Sequence, residues 1–209
     1  RAGCIVTGVS PLLSTDEMAY QLKDCNARGL VTLDAIFAGR LVKIIDDLPD
    51  LRLVVAASVG GFLPVVKRFL GTLLKKIPKG AVTPLEGRTV FRFQDVIAFG
   101  RFSEGAPGVS LTPDDIAYIQ YTGGTTGVPK AVELTHRNIF VNTYMIKTWL
   151  NMQNTAEQIF VQIPLFHSLG MLMGINLSVL TASTIILILY PHDCEFVLRS
   201  IRKFRPTIY

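Results

Sequence analysis

The chain has 209 residues, of which 49% are hydrophobic and 18% are charged, so it can bury a sizeable core and is not a disordered segment. Its three cysteines, Cys4, Cys25 and Cys194, are odd in number and far apart. That spacing argues against a disulfide framework or a CxxC zinc site and indicates a reducing, cytoplasmic compartment. The net charge of +5 comes from basic clusters without interleaved aromatic residues, so we expect no nucleic-acid partner.

The first sixty residues alternate between short apolar runs and amphipathic segments, which is the βαβαβ signature of a parallel sheet. Ser14 or Thr15 can cap the first helix. Gly29 can end that helix, and Pro49 closes the next one. The predicted strands are Ile5–Thr7, Leu30–Leu33 and Leu51–Ala57, and the predicted helices are Thr15–Ala27 and Ala35–Asp47.

Between Val59 and Pro113 the pattern loosens into Gly- and Pro-rich connections around one amphipathic helix. The lysines on its outer face would allow a peripheral contact with an anionic membrane. We favour the alternative, in which the apolar stripe packs on the core of the protein. The apolar stripe consists of Val66, Phe69, Leu70, Leu73, Leu74 and Ile77.

Regular alternation returns at Ile116, so the fold class is α/β, with parallel or mixed sheets flanked by helices. We predict two subdomains, 1–110 with the irregular connection and 111–209 with a Gly/Thr loop. The predicted strands of the second are Ile116–Tyr121, Ala131–Leu134, Ile159–Ile163 and Thr184–Leu189, and its predicted helices are His136–Leu150, Ser168–Leu180 and Asp193–Phe204.

One uncharged stretch, Ser168–Tyr190, is long enough to span a bilayer. Polar residues such as Asn176 and Thr181 interrupt it, and its second half is β-branched and aliphatic. These features favour a buried helix followed by a buried strand.

A loop rich in glycine and threonine joins the strand that ends at Tyr121 to the strand that follows Lys130. Its glycines let backbone N–H groups approach an anion, its threonines add hydroxyl donors, and Lys130 adds a point charge, which together suit a polyphosphate. Composition alone leaves an ordinary turn as an equal alternative. A Walker A loop is excluded, because Val128 and Pro129 separate Gly127 from Lys130 and a strand follows. The loop is therefore predicted to fold over phosphates as the flap of a hairpin.

The ten residues YTGGTTGVPK at 121–130, followed by LTHRN at 134–138, resemble the phosphate-loop signature of the adenylate-forming family. That family includes acyl-CoA ligases, luciferases and peptide-synthetase adenylation domains. The segment PLFHSLGM at 164–171 resembles the aromatic and histidine segment beside the family's acyl pocket. The resemblance extends over nearly the whole chain, is least specific over 60–108, and implies an incomplete N-terminal domain of the adenylate-forming fold.

The resemblance implies a site for ATP and Mg²⁺ with an acyl pocket beside it. His167 and Lys130 would be the catalytic residues, although a histidine outside such a motif is more often simply packed or capped by solvent. Thr122 would help to hold Mg²⁺, and the acyl pocket would include Phe166, His167 and Gly170. The ATP β- and γ-phosphates would be surrounded by Thr122, Gly123, Gly124, Thr125, Thr126, Gly127 and Lys130.

The implied reaction is ATP-dependent activation of a carboxylic acid to acyl-AMP, followed by transfer to coenzyme A. Gly124 stands where many members have serine, and Ala131 where glycine is usual, so the flap must adjust if position 131 needs a positive φ. The family's Mg²⁺ glutamate, ribose aspartate and C-terminal lid lysine are not found. The chain looks like part of a longer protein, and we expect weak ATP binding and no acyl-CoA formation from it alone.

The sequence is compatible with three functions. The apolar interior around 160–180 and the basic amphipathic helix favour a fatty acid as substrate, which makes the chain resemble part of a long-chain fatty acyl-CoA ligase. An adenylation domain for another acid would share both motifs. A non-enzymatic membrane or interaction module would explain the uncharged stretch and leave the Gly/Thr loop unexplained. The sequence does not indicate an oligomeric state.

Overall fold

The computed structural model describes residues 3–64, 66, 69–71, 74, 77–100, 108–123, 128–188 and 191–209. Contacts divide the chain into two units, one formed by Val9–Pro107 and the other by Arg1–Gly8 together with Gly108–Tyr209. The first strand therefore belongs with the second half of the chain, whereas the sequence analysis placed it in a subdomain of residues 1–110.

Strands and helices alternate along the described residues, as an α/β fold requires. The strands are β1 (Val6–Thr7), β2 (Gly29–Leu33), β3 (Leu53–Ala57), β4 (Thr89–Arg92), β5 (Ile116–Thr122), β6 (Lys130–Thr135), β7 (Gln158–Val161) and β8 (Thr184–Leu187). The regular helices are α1 (Thr15–Asp24), α3 (Phe93–Gly100), α4 (His136–Trp149) and α6 (Cys194–Phe204). Helix α2 runs as an α-helix over Asp34–Ile36, a π-helix over Phe37–Leu41, an α-helix over Val42–Ile44 and a 3₁₀ turn over Ile45–Asp47. Helix α5 is a π-helix over Gly170–Asn176 and an α-helix over Leu177–Thr181, and a 3₁₀ turn covers Val59–Phe62.

The unit Val9–Pro107 is built on a three-stranded parallel sheet in the order β2-β3-β4. Helix α1 begins where the sequence predicts, because the Ser14 hydroxyl accepts from the Glu17 N–H and the Glu17 carboxylate accepts from the Ser14 N–H in a capping box. Phe37, Leu41 and Val54 are fully buried, so the core lies between α2 and the sheet.

Two features of this unit differ from the sequence analysis. Strand β1 does not join the sheet that begins with β2, because it pairs in parallel with β5. Strand β4 and helix α3 were not predicted, since the region was interpreted as connections around one helix. That predicted helix, near 66–77, lies largely outside the described residues.

The other unit contains the sheet β1-β5-β6, in which β5 is parallel to β1 and antiparallel to β6. Its second sheet pairs β7 with β8 in parallel. Near the C-terminus, Ile208 forms a parallel bridge with Ile159 of β7. Ile159 and Leu177 are almost fully buried in the core of this unit.

The uncharged stretch forms α5 followed by β8, so the prediction of a helix and then a strand is confirmed over the described residues. In the part of the chain that the structure describes, no helix combines the length and the apolar character needed to cross a bilayer. The strand is less buried than expected. Of its four residues only Ile186 is buried, and among the described residues β8 pairs with β7 alone.

Candidate active site

The Gly/Thr loop connects two antiparallel strands, as the sequence predicts. Thr122, the last residue of β5, pairs in register with Lys130, the first residue of β6, and Tyr121 pairs with Ala131. The Thr122 hydroxyl also donates to the Lys130 carbonyl at 3.4 Å. The two ends of the loop are therefore held together by the hairpin. Gly124, Thr125, Thr126 and Gly127, predicted to contact phosphates, lie outside the described residues.

The described residues at the mouth of this loop are open to a ligand. Thr122, Gly123 and Lys130 are all exposed, and a Cβ added to Gly123 would meet no atom of the described residues within 4 Å. Ala131 adopts an ordinary backbone conformation, because it lies in β6 and its φ is not positive. The departure from glycine at this position is therefore compatible with the hairpin.

The PLFHSLGM segment forms the turn between β7 and α5 and the first two residues of α5. The His167 N–H donates to the Pro164 carbonyl at 3.0 Å, and the Met171 N–H donates to the His167 carbonyl at 2.9 Å. Gly170 is buried, and a Cβ there would collide with the Pro164 carbonyl oxygen. Close packing of α5 on this turn thus requires glycine at position 170.

The imidazole of His167 is exposed and oriented by its own turn. The Leu169 N–H donates to Nδ1 of His167 at 3.2 Å, so the neutral ring carries its proton on Nε2. Nε2–H is thereby available as a hydrogen-bond donor.

The topology of the sheet that contains β7 and β8 also indicates a ligand site near the His167 turn. Strand β7 lies between β8 and Ile208, because the chain passes through α5 to one side of β7 and returns through α6 to the other. Open α/β sheets bind ligands where the strand order reverses, beyond the carboxyl ends of the strands. The turn that carries His167 follows the carboxyl end of β7.

The two motifs meet at β5. The side-chain amide of Gln120 donates to the Phe166 carbonyl at 3.5 Å and to its neighbouring Tyr121 carbonyl at 3.1 Å. Side chains alternate between the faces of a strand, so Gln120 lies on the same face of β5 as Thr122. The backbone of Phe166 therefore contacts the face of the hairpin that carries Thr122.

Gly8, which follows β1, completes this contact. A Cβ on Gly8 would lie 3.0 Å from the Phe166 Cα and 2.5 Å from the Tyr118 hydroxyl oxygen. The pKa of Tyr118 is raised, because the effect of burial exceeds the opposite effect of a hydrogen bond with the Gly8 backbone. Sequence reasoning missed Gly8, Tyr118 and Gln120. The available signal was that Tyr118 and Gln120 are two residues apart on the predicted strand Ile116–Tyr121, which leads into the Gly/Thr loop.

A cleft of about 620 Å³ lies between α4 and α5. Helix α4 is fixed at its start by a capping box between Thr135 and Asn138, and Arg137 forms an ion pair with Asp114 at 2.8 Å. Phe166, His167 and Gly170, predicted for the acyl pocket, do not line the cleft, although Ser168 and Met171 do. The residues that line it are Leu134, Arg137, Asn138, Ile139, Val141, Asn142, Met145, Ser168, Met171, Leu172 and Asn176.

The described residues supply few ligands for a metal. Among them, no three His, Cys, Asp or Glu side chains cluster closely enough to hold an ion. Mg²⁺ usually keeps several waters and binds through substrate phosphates with one or two protein ligands. An exposed Thr122 hydroxyl fits that limited role, with most ligands coming from the nucleotide.

The comparison with known families covers the full chain, since a family model described as AMP-binding enzyme matches residues 1–209. A long-chain-fatty-acid–CoA ligase of Bacillus subtilis (strain 168) is 33% identical and matches 100% of this chain. One of Haemophilus influenzae is 30% identical and matches 98%. The chain spans 37% of the length of each of these relatives.

Solved structures show the same fold. An anthranilate CoA ligase in complex with anthranoyl-AMP superposes with a TM-score of 0.72 at 22% identity, covering 97% of this chain and 34% of that one. ATP-bound MatB from Rhodopseudomonas palustris gives a TM-score of 0.65 at 18% identity, covering 97% of this chain and 33% of that one. The predicted α/β fold, with parallel and mixed sheets, is confirmed.

Proposed function

Because the chain belongs to the AMP-binding enzyme family, we propose that it supplies the phosphate-binding hairpin and the acyl cleft of an AMP-forming acyl-CoA ligase. The observation that carries this proposal is the contact between Gln120 and Phe166, which joins the hairpin to the turn that carries His167. A carboxylate and a triphosphate must meet for acyl-AMP to form, and this contact brings their proposed sites together.

The hairpin would bind the ATP β- and γ-phosphates and stabilise the departing pyrophosphate. The Lys130 ammonium would neutralise charge, and the Gly123 N–H and Thr122 hydroxyl would donate hydrogen bonds, together with the loop residues 124–127. Bound Mg²⁺ would supply further charge neutralisation, with Thr122 as a protein ligand. Because Thr122 and Lys130 are paired in register at the ends of β5 and β6, little reorganisation of their backbones would accompany pyrophosphate release.

His167 would act beside the reacting centre. Its Nε2–H can donate to an oxygen of the carboxylate or the α-phosphate, since Nδ1 is already engaged by Leu169. This donation would orient the attacking oxygen without removing a proton, because a carboxylate attacks in its ionised form. The role of His167 in this proposal is therefore positioning and charge stabilisation.

A fatty acid is the proposed substrate. Apolar side chains from β6 and from both helices, including Leu134, Met145 and Leu172, line the cleft. Burial of an alkyl chain against such groups is worth about 0.8 kcal/mol per CH₂. The names of the Bacillus subtilis and Haemophilus influenzae relatives support the same class. Asn138 and Asn142 also line the cleft and favour the second candidate, an acid with a polar or aromatic group.

Formation of acyl-CoA would require more than this chain. Its acidic residues after Lys130 are not in the contexts that the family uses for Mg²⁺ and ribose, and the chain matches little more than a third of its relatives' length. We propose that the remaining ligands, the lid and the site for coenzyme A lie in segments equivalent to the rest of those relatives. The protein that includes such segments is called the extended protein below.

The test is exchange of labelled pyrophosphate into ATP, which reports adenylation without coenzyme A. We expect the extended protein to exchange in the presence of fatty acids and this chain alone to remain inactive. Exchange with aryl acids but not fatty acids would support the second candidate. If the extended protein exchanges with no acid, the ligase assignment is wrong.

A further inference from the structure

The backbone of Phe166 is in close contact with Gly8 and Gln120. Gly8 leaves little room for a side chain, since an added Cβ would be 3.0 Å from both Cα and Cβ of Phe166. The φ of Gly8 is not positive, so the requirement for glycine comes from space rather than from backbone conformation. The Gln120 amide donates to the Phe166 carbonyl.

Tyr118 holds Gly8 in its position beside Phe166. Its side chain is 8% exposed, and its phenolic oxygen forms a hydrogen bond with the Gly8 backbone. Tyr118 and Gln120 lie two residues apart on one face of β5, and Thr122 is the next residue on that face. The strand that opens the phosphate loop therefore also carries the groups that hold Phe166.

The Gln120 carboxamide is largely enclosed. Among the residues that the structure describes, its Oε1 is buried and has no hydrogen-bond partner, while its Nε2 donates to the carbonyls of Tyr121 and Phe166. An amide with one unsatisfied group costs free energy, so its placement needs a reason other than stability. Fixing two backbone carbonyls that belong to different motifs would be such a reason.

We propose that Gln120 and Gly8 are positioning residues, which set the distance between His167 and the phosphate-binding hairpin. This inference rests on the proposed function. Gln120 acts through the Phe166 carbonyl, and Gly8 acts by allowing the close approach of the Phe166 backbone. Neither residue needs to contact ATP or the acid. A displacement of this turn moves the His167 imidazole away from the reacting oxygen and leaves the pairing of β5 with β6 unchanged.

The kinetic test compares Gln120→Leu and Gly8→Ala with the unmodified extended protein. Misplacing a catalytic group by about 1 Å can cost up to a hundredfold in rate, so we expect kcat for pyrophosphate exchange to fall about ten- to a hundredfold. KM for ATP should change less than about threefold, because the hairpin is intact. Gln153→Leu is the matched control, since Gln153 donates to the Asn151 carbonyl at the same 3.5 Å but locally and in an exposed turn.

A spectroscopic test on the chain itself separates this inference from the ligase assignment. The chain has three histidines, so ring ¹H–¹⁵N signals can be assigned by substitution. Gln120→Leu and Gly8→Ala should each shift the His167 signals and leave those of His192 unchanged, whereas Gln153→Leu should shift neither. Unchanged His167 signals in both variants overturn the inference, whatever the activity. Shifted signals in an extended protein without exchange would leave the inference standing and reject the ligase.

Discussion

At the scale of single residues, replacement of Lys130 has the most direct predicted effect on pyrophosphate exchange. Its ammonium is exposed at the start of β6, in register with Thr122, where a phosphate of ATP is proposed to bind. Hydrogen bonds to charged groups contribute roughly 1.5–3 kcal/mol, so Lys130→Met should lower kcat/KM for pyrophosphate exchange by at least about tenfold. Lys130→Arg should retain part of the activity because it keeps the charge.

Lys43→Met provides the control for this prediction. Lys43 is an exposed lysine on α2, in the other unit, and its removal changes the net charge equally. A loss of the same size in Lys43→Met would attribute the effect to overall charge. Full exchange in Lys130→Met would show that the hairpin does not bind the nucleotide through this side chain.

Asp114 and Arg137 form an ion pair at the start of α4, beside the cleft. Hydrogen bonding from Arg137 lowers the pKa of Asp114. A carboxylate with a lowered pKa contributes stability above its unfolded pKa, and that contribution is lost as the pH falls through the folded value, here below about pH 4. Arg137→Gln should raise the pKa of Asp114 towards its ordinary value, measured by ¹³C NMR titration of the carboxyl group. Arg137→Lys should give an intermediate value, and an unchanged pKa in Arg137→Gln would contradict the prediction.

At the scale of elements, the parts that the sequence predicts well carry their own local signals. Helices α1 and α4 begin at capping boxes formed by Ser14 and Thr135, and side-chain oxygens at these positions specify a helix start without distant contacts. The hairpin β5–β6 is predictable because two apolar runs flank a glycine-rich loop. Strand β4 was missed because three of its four residues are exposed and its partner β3 is distant in sequence. The π-helical turns in α2 and α5 have no recognised sequence signal.

The end of α5 gives a prediction about stability. Ala182 has a φ of 51° and a ψ of 38°, the left-handed conformation that glycine adopts with less strain. Ala182→Gly should therefore raise the free energy of unfolding by about 0.5 kcal/mol, as the relief of strain exceeds the added entropy of the unfolded chain. Ala19→Gly, in the interior of α1, is the control and should lower it by about 1 kcal/mol. Urea denaturation measures both, and a loss of stability in Ala182→Gly would disprove the strain.

At the scale of the whole molecule, sheet membership was the least predictable property. Strand β1 has two residues and pairs with β5, which is distant in sequence, so nothing near Val6 identifies its partner. The same non-local pairing brings Gly8 beside Phe166. Motifs in the sequence therefore identified the residues proposed to bind ligands. The residues that hold the motifs against each other emerged from the three-dimensional arrangement of β1, β5 and the turn after β7.

In the proposed function, substrate selectivity would depend on helices α4 and α5, because they line the cleft proposed for the acyl chain. Leu172 lines the cleft from α5, so Leu172→Trp should shorten it. We expect kcat/KM of the extended protein to fall about tenfold or more for palmitate and less than about twofold for octanoate, because only the longer chain reaches the blocked part. Val179→Trp is the matched control on the same helix, since Val179 is 75% exposed and outside the cleft. An equal loss for both acids in Leu172→Trp would indicate damage to the fold, and no loss for either would place the acyl chain elsewhere.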